Sequence, residues 1–196
     1  MTVARPRAAP QTHRGRIIAA AARITTESGW SDVTMARLAS EVGVSRQTVY
    51  NEIGAKDALA EAMVLTELQR FLGVVEEAFE VSPHDLVDAI RAAAYGVLDL
   101  ALDNRLLQAI VSATHGASTE LLPLLTTHSG SLLATAKEVV ARRMRTYEIP
   151  LDADRLDALV DLVVRTVLSQ VMQPNKSPAR SADDLAWLAD RVLRSH

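Results

Sequence analysis

One stretch constrains the fold more tightly than any other. Residues 34–53 read Thr-Met-Ala-Arg-Leu-Ala-Ser-Glu-Val-Gly-Val-Ser-Arg-Gln-Thr-Val-Tyr-Asn-Glu-Ile. Thr34 and Ser45 carry hydroxyls where helix N-caps are wanted. Gly43 lies between them and can take the positive φ that a sharp stop requires. The spacing predicts a helix over 35–42, a glycine-centred turn, and a second helix to about 52, broken by Gly54. Leu38, Ala39 and Val42 form the inner face of the first. Val49 must face inward on the second, flanked by Val44, Glu52 and Ile53. Two short helices about such a turn have the geometry that lays one across the DNA backbone and the next in the major groove.

The outward face of the second helix follows from its inward one. At about 100° per residue, fixing Val49 inward sends Gln47, Thr48 and Asn51 outward together. Gln and Asn can each make paired hydrogen bonds to adenine, and Thr can meet a base or a thymine methyl. Arg46 stands at the edge, within reach of guanine or a phosphate. Tyr50 flanks the face, where a phenol donates to a phosphate. Lys56 opens the next helix, where charge and dipole both favour a phosphate. Thr34 and Ser45 add hydroxyls near the same backbone. A plainer reading makes this a helical hairpin in a bundle with merely solvated polar residues. Against it stands the uncharged outer face, since ordinary solvated faces are rich in Lys and Glu.

These residues carry a family resemblance. Residues 14–63 resemble the DNA-binding head of the TetR family of bacterial regulators, on Val-Thr-Met-Ala-Arg-Leu-Ala-Ser-Glu-Val-Gly-Val-Ser-Arg-Gln-Thr-Val-Tyr and on Gly54-Ala-Lys56-Asp57-Ala-Leu59. The family often ends its recognition helix with an aromatic; here Ile53 fills that place. The resemblance implies an Ω-shaped homodimer whose final two large helices form the interface. It also implies a regulator, expected to be a repressor, that leaves a palindromic operator when a small molecule binds its body. The wording Gln47-Thr-Val-Tyr-Asn-Glu52 loosely resembles actinobacterial members tied to alkane or lipid genes, which implies a hydrophobic ligand with a long acyl chain.

The rest of the chain reads as helix. Ala, Leu, Glu and Arg dominate, and aromatics make up only 4%. Helices are expected over 13–28, from 56 to about 80, and over 84–102, 104–113, 129–147, 153–172 and 182–194. No hairpin signal or internal repeat interrupts them. The expected fold is all-α, about nine helices: a three-helix helix-turn-helix head on a larger ligand-binding and dimerisation bundle. The expected division is a disordered basic arm over 1–12, a head over 13–56 and a body over 57–196. Charge divides the same way. Residues 1–56 hold 8 Lys+Arg against 4 Asp+Glu, while the remainder holds 13 against 20. A basic head on an acidic body turns the head toward a polyanion.

Within the body, the stripe over 153–172 is wider than one intramolecular contact needs. Leu156, Val160, Val163, Val167 and Val171, with Trp187 and Leu188 from the last helix, are the expected dimer interface; the plainer reading buries both helices. Phe71, Tyr95, Leu98, Leu107, His115 and Met144 are the candidate ligand contacts. Tyr95 and His115 are chosen because each offers one polar bond in apolar surroundings. Aromatic and Met side chains at helical spacing more often belong to a core.

Several chemistries find no support. The chain has no cysteine, and none of its five histidines has the i, i+4 partner of a helical zinc site, so no metal is expected. Asp152, Asp154, Asp157 and Asp161 suit a helix N-terminus and a solvated face better than a cation. No phosphate loop, nucleophile elbow or triad spacing occurs, so no catalytic residue, cofactor or enzyme activity is expected. No window approaches the roughly 18 apolar residues of a membrane span, and no secretory signal is readable, so a cytoplasmic protein without a membrane partner is expected. Two competing readings are an all-helical lipid-binding protein or enzyme with an incidental helix-turn-helix, and a helical module acting only through its surface.

Overall fold

A computed structural model describes residues 12–109 and 129–194. Residues 1–11 of the arm expected over 1–12, and the segment 110–128, lie outside the described residues. All regular structure among the described residues is helical. The elements are α1 (His13–Ser28), a 3-10 turn (Trp30–Asp32), α2 (Met35–Val42), α3 (Arg46–Ile53), α4 (Lys56–Val81), α5 (Leu86–Leu102), α6 (Ser129–Met144), α7 (Ala153–Met172) and α8 (Pro178–Arg194). Residues 105–109 are also helical.

Local chemistry sets most boundaries. Thr12, Thr34, Ser45, Asp85 and Asp152 each accept a backbone N–H from the first turn of the helix that follows. Each satisfies a donor that the helix cannot. Thr12 is thus part of α1's start rather than of an arm. Gly43 adopts φ 74° and ψ 41°, the left-handed conformation that lets the chain reverse between α2 and α3.

Three ends differ from the sequence reading. α5 begins at Leu86, because Asp85 provides the cap and Pro83 stays in the preceding turn. α6 ends at Met144, and Tyr147 lies beyond it. α8 begins at Pro178, one turn earlier than expected; a proline in the first turn loses no helical hydrogen bond.

Among the described residues two large apolar cores result, with a small third cluster of Ala94, Ala182 and Leu185 between α5 and α8. The head core gathers Ile17 and Ile24 of α1, Trp30, Val33, Leu38 of α2, Val49 and Ile53 of α3, and Leu59, Ala60 and Met63 of α4. The body core gathers Val75 and Phe79 of α4, Ile90 of α5, Met144 of α6, and Leu159, Val160, Val163 and Val164 of α7. Each large aliphatic side chain taken fully out of water contributes roughly 1.5–3 kcal/mol. α4 therefore belongs to both cores, and the head's packing continues past residue 56 to Met63. One member of the head core comes from far along the chain: Leu106, 6% exposed, reaches it from the helical residues after α5.

Polar contacts brace the body. Tyr147 donates its hydroxyl to the carbonyls of Ser82 at 2.8 Å and Phe79 at 3.2 Å, closing the end of α4. Arg142 and Arg143 reach Glu76 and Glu80, both at 2.9 Å, and join α6 to α4. α5 packs along both α4 and α8. No described helix is long and apolar enough to cross a membrane.

Candidate nucleic-acid interface

α3 is anchored by its inward side and presents the other. Val49 is fully buried and Ile53 nearly so, while Arg46, Gln47, Tyr50 and Asn51 are exposed and Thr48 is half-buried. On the outer face, Gln47 Nε2 donates to Asn51 Oδ1 at 2.9 Å. Thr48 Oγ1 lies 2.8 Å from Ser45 Oγ, and Ser45 Oγ also accepts the Thr48 N–H at 3.0 Å. Thr34 caps α2 by accepting the Arg37 N–H at 3.1 Å. Both hydroxyls named from the sequence thus shape helix starts. Lys56 Nζ lies 5.0 Å from the centre of the Trp30 ring, a cation–π contact that steadies the ammonium at the start of α4.

Two arginines absent from the sequence reading hold this surface in place. Arg14 Nη1 donates to the Glu52 carbonyl at 2.6 Å, at the end of α3. Arg16 Nη2 donates to the Val42 carbonyl, at the end of α2. Both guanidiniums sit where a helix presents unpaired carbonyls and a partial negative charge. Arg23 and Arg37 share Glu41, and Arg37 also pairs with Asp32 at 3.2 Å. The only sequence signal for these roles was an arginine-rich first helix.

The candidate ligand residues do not converge. Leu98 and Leu107 line a cleft of about 200 Å³ together with Leu102, Gln108, Gln170, Val171, Met172, Lys176 and Ser181. Phe71 is half-buried against the body core, Met144 is fully buried within it, and Tyr95 is 45% exposed. None of these three lines the cleft. His115 lies outside the described residues.

The candidate interface residues divide as well. Val160 and Val163 are 0% and 7% exposed and pack into their own subunit's core, so they have no surface left to offer another chain. Val171 lines the cleft. Leu156, Val167 and Leu188 are half-buried. Trp187 is 62% exposed, and Leu162, Leu168 and Met172 are also exposed. The wide stripe on α7 thus serves two sides, and its exposed members are not those the sequence picked out. The aspartates of α7 have local roles: Asp152 caps the helix, and Asp157 and Asp161 face Lys137 at 3.8 and 3.1 Å. Among the described residues no group of side chains is arranged to hold a metal ion.

A capped, glycine-turned helix pair with an exposed polar recognition face, on a helical body, defines a class of transcription regulators. Residues 17–63 match the family of bacterial regulatory proteins, tetR family, and residues 85–191 match the bacterial tetracyclin repressor C-terminal domain. The chain belongs to the TetR family; these proteins are transcription regulators, not enzymes. It is 26% identical over 168 residues to the HTH-type transcriptional regulator AlkX of Mycobacterium tuberculosis (strain ATCC 25618 / H37Rv), covering 85% of this chain and 78% of that one. Its fold is similar to the TetR family repressor AlkX of Dietzia sp. strain DQ12-45-1b, implicated in biodegradation of n-alkanes. That similarity has a TM-score of 0.72 and 26% identity, covering 97% of this chain and 98% of that one. The fatty acid degradation regulator FadR of Bacillus halodurans shares the fold, with a TM-score of 0.56 at 16% identity over 92% and 95% of the two chains.

Proposed function

We propose that this protein is a cytoplasmic repressor that binds a palindromic operator as a homodimer and releases it when a small hydrophobic ligand, of long-chain acyl character, enters the body. The observation that carries the reading is the outer face of α3: Arg46, Gln47, Tyr50 and Asn51 exposed above Val49 and Ile53. Gln47, Thr48 and Asn51 read base edges; Arg46, Tyr50, Lys56 and the helix starts at Thr34 and Ser45 meet the backbone. The head is residues 13 to about 56 with the first turns of α4, and the remainder is the sensing and pairing unit. Repression is supported by the description of the Dietzia relative, and an apolar ligand by that relative's implication in n-alkane biodegradation.

A dimer is required because one short helix reads few base pairs, whereas two related by a two-fold axis read both halves of a palindrome. The exposed apolar residues Trp187, Leu168 and Met172 support pairing through α7 and α8. Release has a physical route. Leu107 lines the cleft while its neighbour Leu106 is inserted in the head core. Asn104, 8% exposed, donates to Glu67 Oε2 on α4 at 2.6 Å and accepts the Leu107 N–H at 2.9 Å. A ligand that moves Leu107 moves packing shared with the helix-turn-helix.

The test is fluorescence anisotropy on DNA from the protein's own upstream region. Tight binding to one palindromic segment, weakening steeply with salt and reversed by a long-chain acyl compound, is expected. Binding that is equal on all sequences, or unchanged by any apolar compound, would overturn the operator or the release part respectively.

A further inference from the structure

α3 is two turns long and carries the reading face, so a small change in how it lies changes what Gln47 and Asn51 meet. Its apolar anchors, Val49 and Ile53, stand one turn apart on a single stripe. Two anchors along one line hold a helix against its neighbours but leave it able to roll about that line. The last turn of α3 offers little more. It has no basic residue, and it holds Glu52, whose charge the negative end of a helix disfavours. Gly54 turns the chain away with φ 90° while its N–H takes the Tyr50 carbonyl, leaving the later carbonyls beyond the helix's own donors. The missing tie comes from α1. Arg14 Nη1 donates to the Glu52 carbonyl at 2.6 Å, across 38 positions of the chain. α2 repeats the pattern. It too ends without a basic residue and with an acid, Glu41, in its last turn; Arg16 donates to the Val42 carbonyl and Arg23 pairs with Glu41. α1 thus supplies the cations that both helices of the helix-turn-helix lack at their ends.

We infer that Arg14 is a positioning residue for sequence reading: by holding the end of α3 to α1 it fixes the roll of the recognition helix, and so the direction in which Gln47 and Asn51 face the groove. Asn51 directly precedes Glu52, and its Oδ1 takes the Gln47 amide at 2.9 Å, so a tie at the helix end passes to both side chains. An exposed arginine on a DNA-binding head is ordinarily counted as a phosphate contact, which adds affinity on any sequence. The bond to the Glu52 carbonyl gives Arg14 a different effect, on the discrimination between sequences. Because that effect is on base reading, the role rests on α3 entering the groove, as proposed above.

The experiment compares the full-length native protein with Arg14→Gln by fluorescence anisotropy. The probes are the palindromic upstream segment and a scrambled duplex of the same length, each over a series of salt concentrations and below the melting transition of both proteins. Arg14→Gln should bind the palindrome about tenfold more weakly, for the loss of one hydrogen bond from a charged donor. It should hold the scrambled duplex as before and keep the native slope of log affinity against log salt. Loss of a phosphate contact would instead weaken both duplexes and reduce the slope by about 0.9. That result, or palindrome binding equal to the native protein's, would overturn the role. Proton–nitrogen correlation spectra of the free proteins give a readout without DNA. The side-chain amide signals of Gln47 and Asn51 should shift in Arg14→Gln, while that of Gln170 in the body stays in place. Unmoved Gln47 and Asn51 signals would overturn the tie. A variant that loses both duplexes together with the ordered amide signals of the head would show Arg14 to be a folding contact only, and would overturn the role as well. A native protein that prefers no palindrome removes the operator reading and this role with it. A native protein and a variant that discriminate equally well remove the role alone.

Discussion

Gln47 and Asn51 are joined across one turn of α3, the Nε2 of the first donating to the Oδ1 of the second at 2.9 Å. The pairing leaves the Gln47 carbonyl to accept and the Asn51 amide nitrogen to donate, a donor and acceptor side by side. Adenine offers the complement in the major groove, N7 and the N6 amino group. The two side chains are therefore expected to read one base pair as a unit. Gln47→Ala and Asn51→Ala should each cost roughly 1–3 kcal/mol and relax preference at the same operator position. The double variant should cost less than the sum. Anisotropy on single-base operator variants checks this; additive losses at separate positions would break the unit.

Lys56 presents a different pattern. Its ammonium sits over Trp30 at the N-terminal end of α4, and its proposed role is to meet phosphate without reading sequence. Lys56→Ala should weaken all DNA alike and flatten the salt dependence by about one phosphate contact. A loss confined to one sequence would contradict the assignment.

Gly96 marks a close approach of α5 to α4. A methyl group there would stand 2.6 Å from Val74 Cγ1, and Val74 is β-branched, with little freedom to turn away. Gly96→Ala should destabilise the fold by about 1–3 kcal/mol despite its better helix propensity. Urea unfolding measures the difference, and a stabilised variant would show that the two helices separate easily.

Tyr147 couples stability to pH. Burial pushes its phenol above the ordinary value of about 10, with Asp85 adding to the rise and Arg143 opposing it. A phenol with a raised native pKa favours the folded state while neutral; that contribution is present below about pH 10 and lost as pH rises through the native value. Tyr147→Phe removes the bonds to Phe79 and Ser82 and should cost about 1 kcal/mol near neutrality. The gap between the two proteins should narrow above pH 10. Melting temperatures over pH 7–11 test both statements.

Pairing of subunits should depend on Trp187. Trp187→Glu places a charge on an exposed apolar surface without touching the buried core, so the chain should stay folded while dimers dissociate. Sedimentation at micromolar concentration reads the outcome; an unchanged dimer would move the interface elsewhere.

The head was legible in the sequence because its signals are local. Thr34, Ser45 and Gly43 act within four residues of themselves, and the side of Val49 follows from helical period alone. The outward set around Gln47 and Asn51 therefore needed no tertiary information. The roles of Arg14 and Arg16 did, because each cap joins residues 38 and 26 positions apart.

The body shows the same limit more strongly. Helical period announced that α7 is apolar on a broad front, yet it could not divide that front between two neighbours. Packing against α5 and α6 drew Val160 and Val163 inward and left Leu168 and Met172 outside. Leu106 entering the head core arises from contacts between segments whose separation along the chain carries no pattern. Caps, turns and periodicity are short-range properties of the chain, so the residues alone determined the helices and the face of α3. Which side chains meet across helices depends on how whole surfaces fit, and only the folded structure decided that.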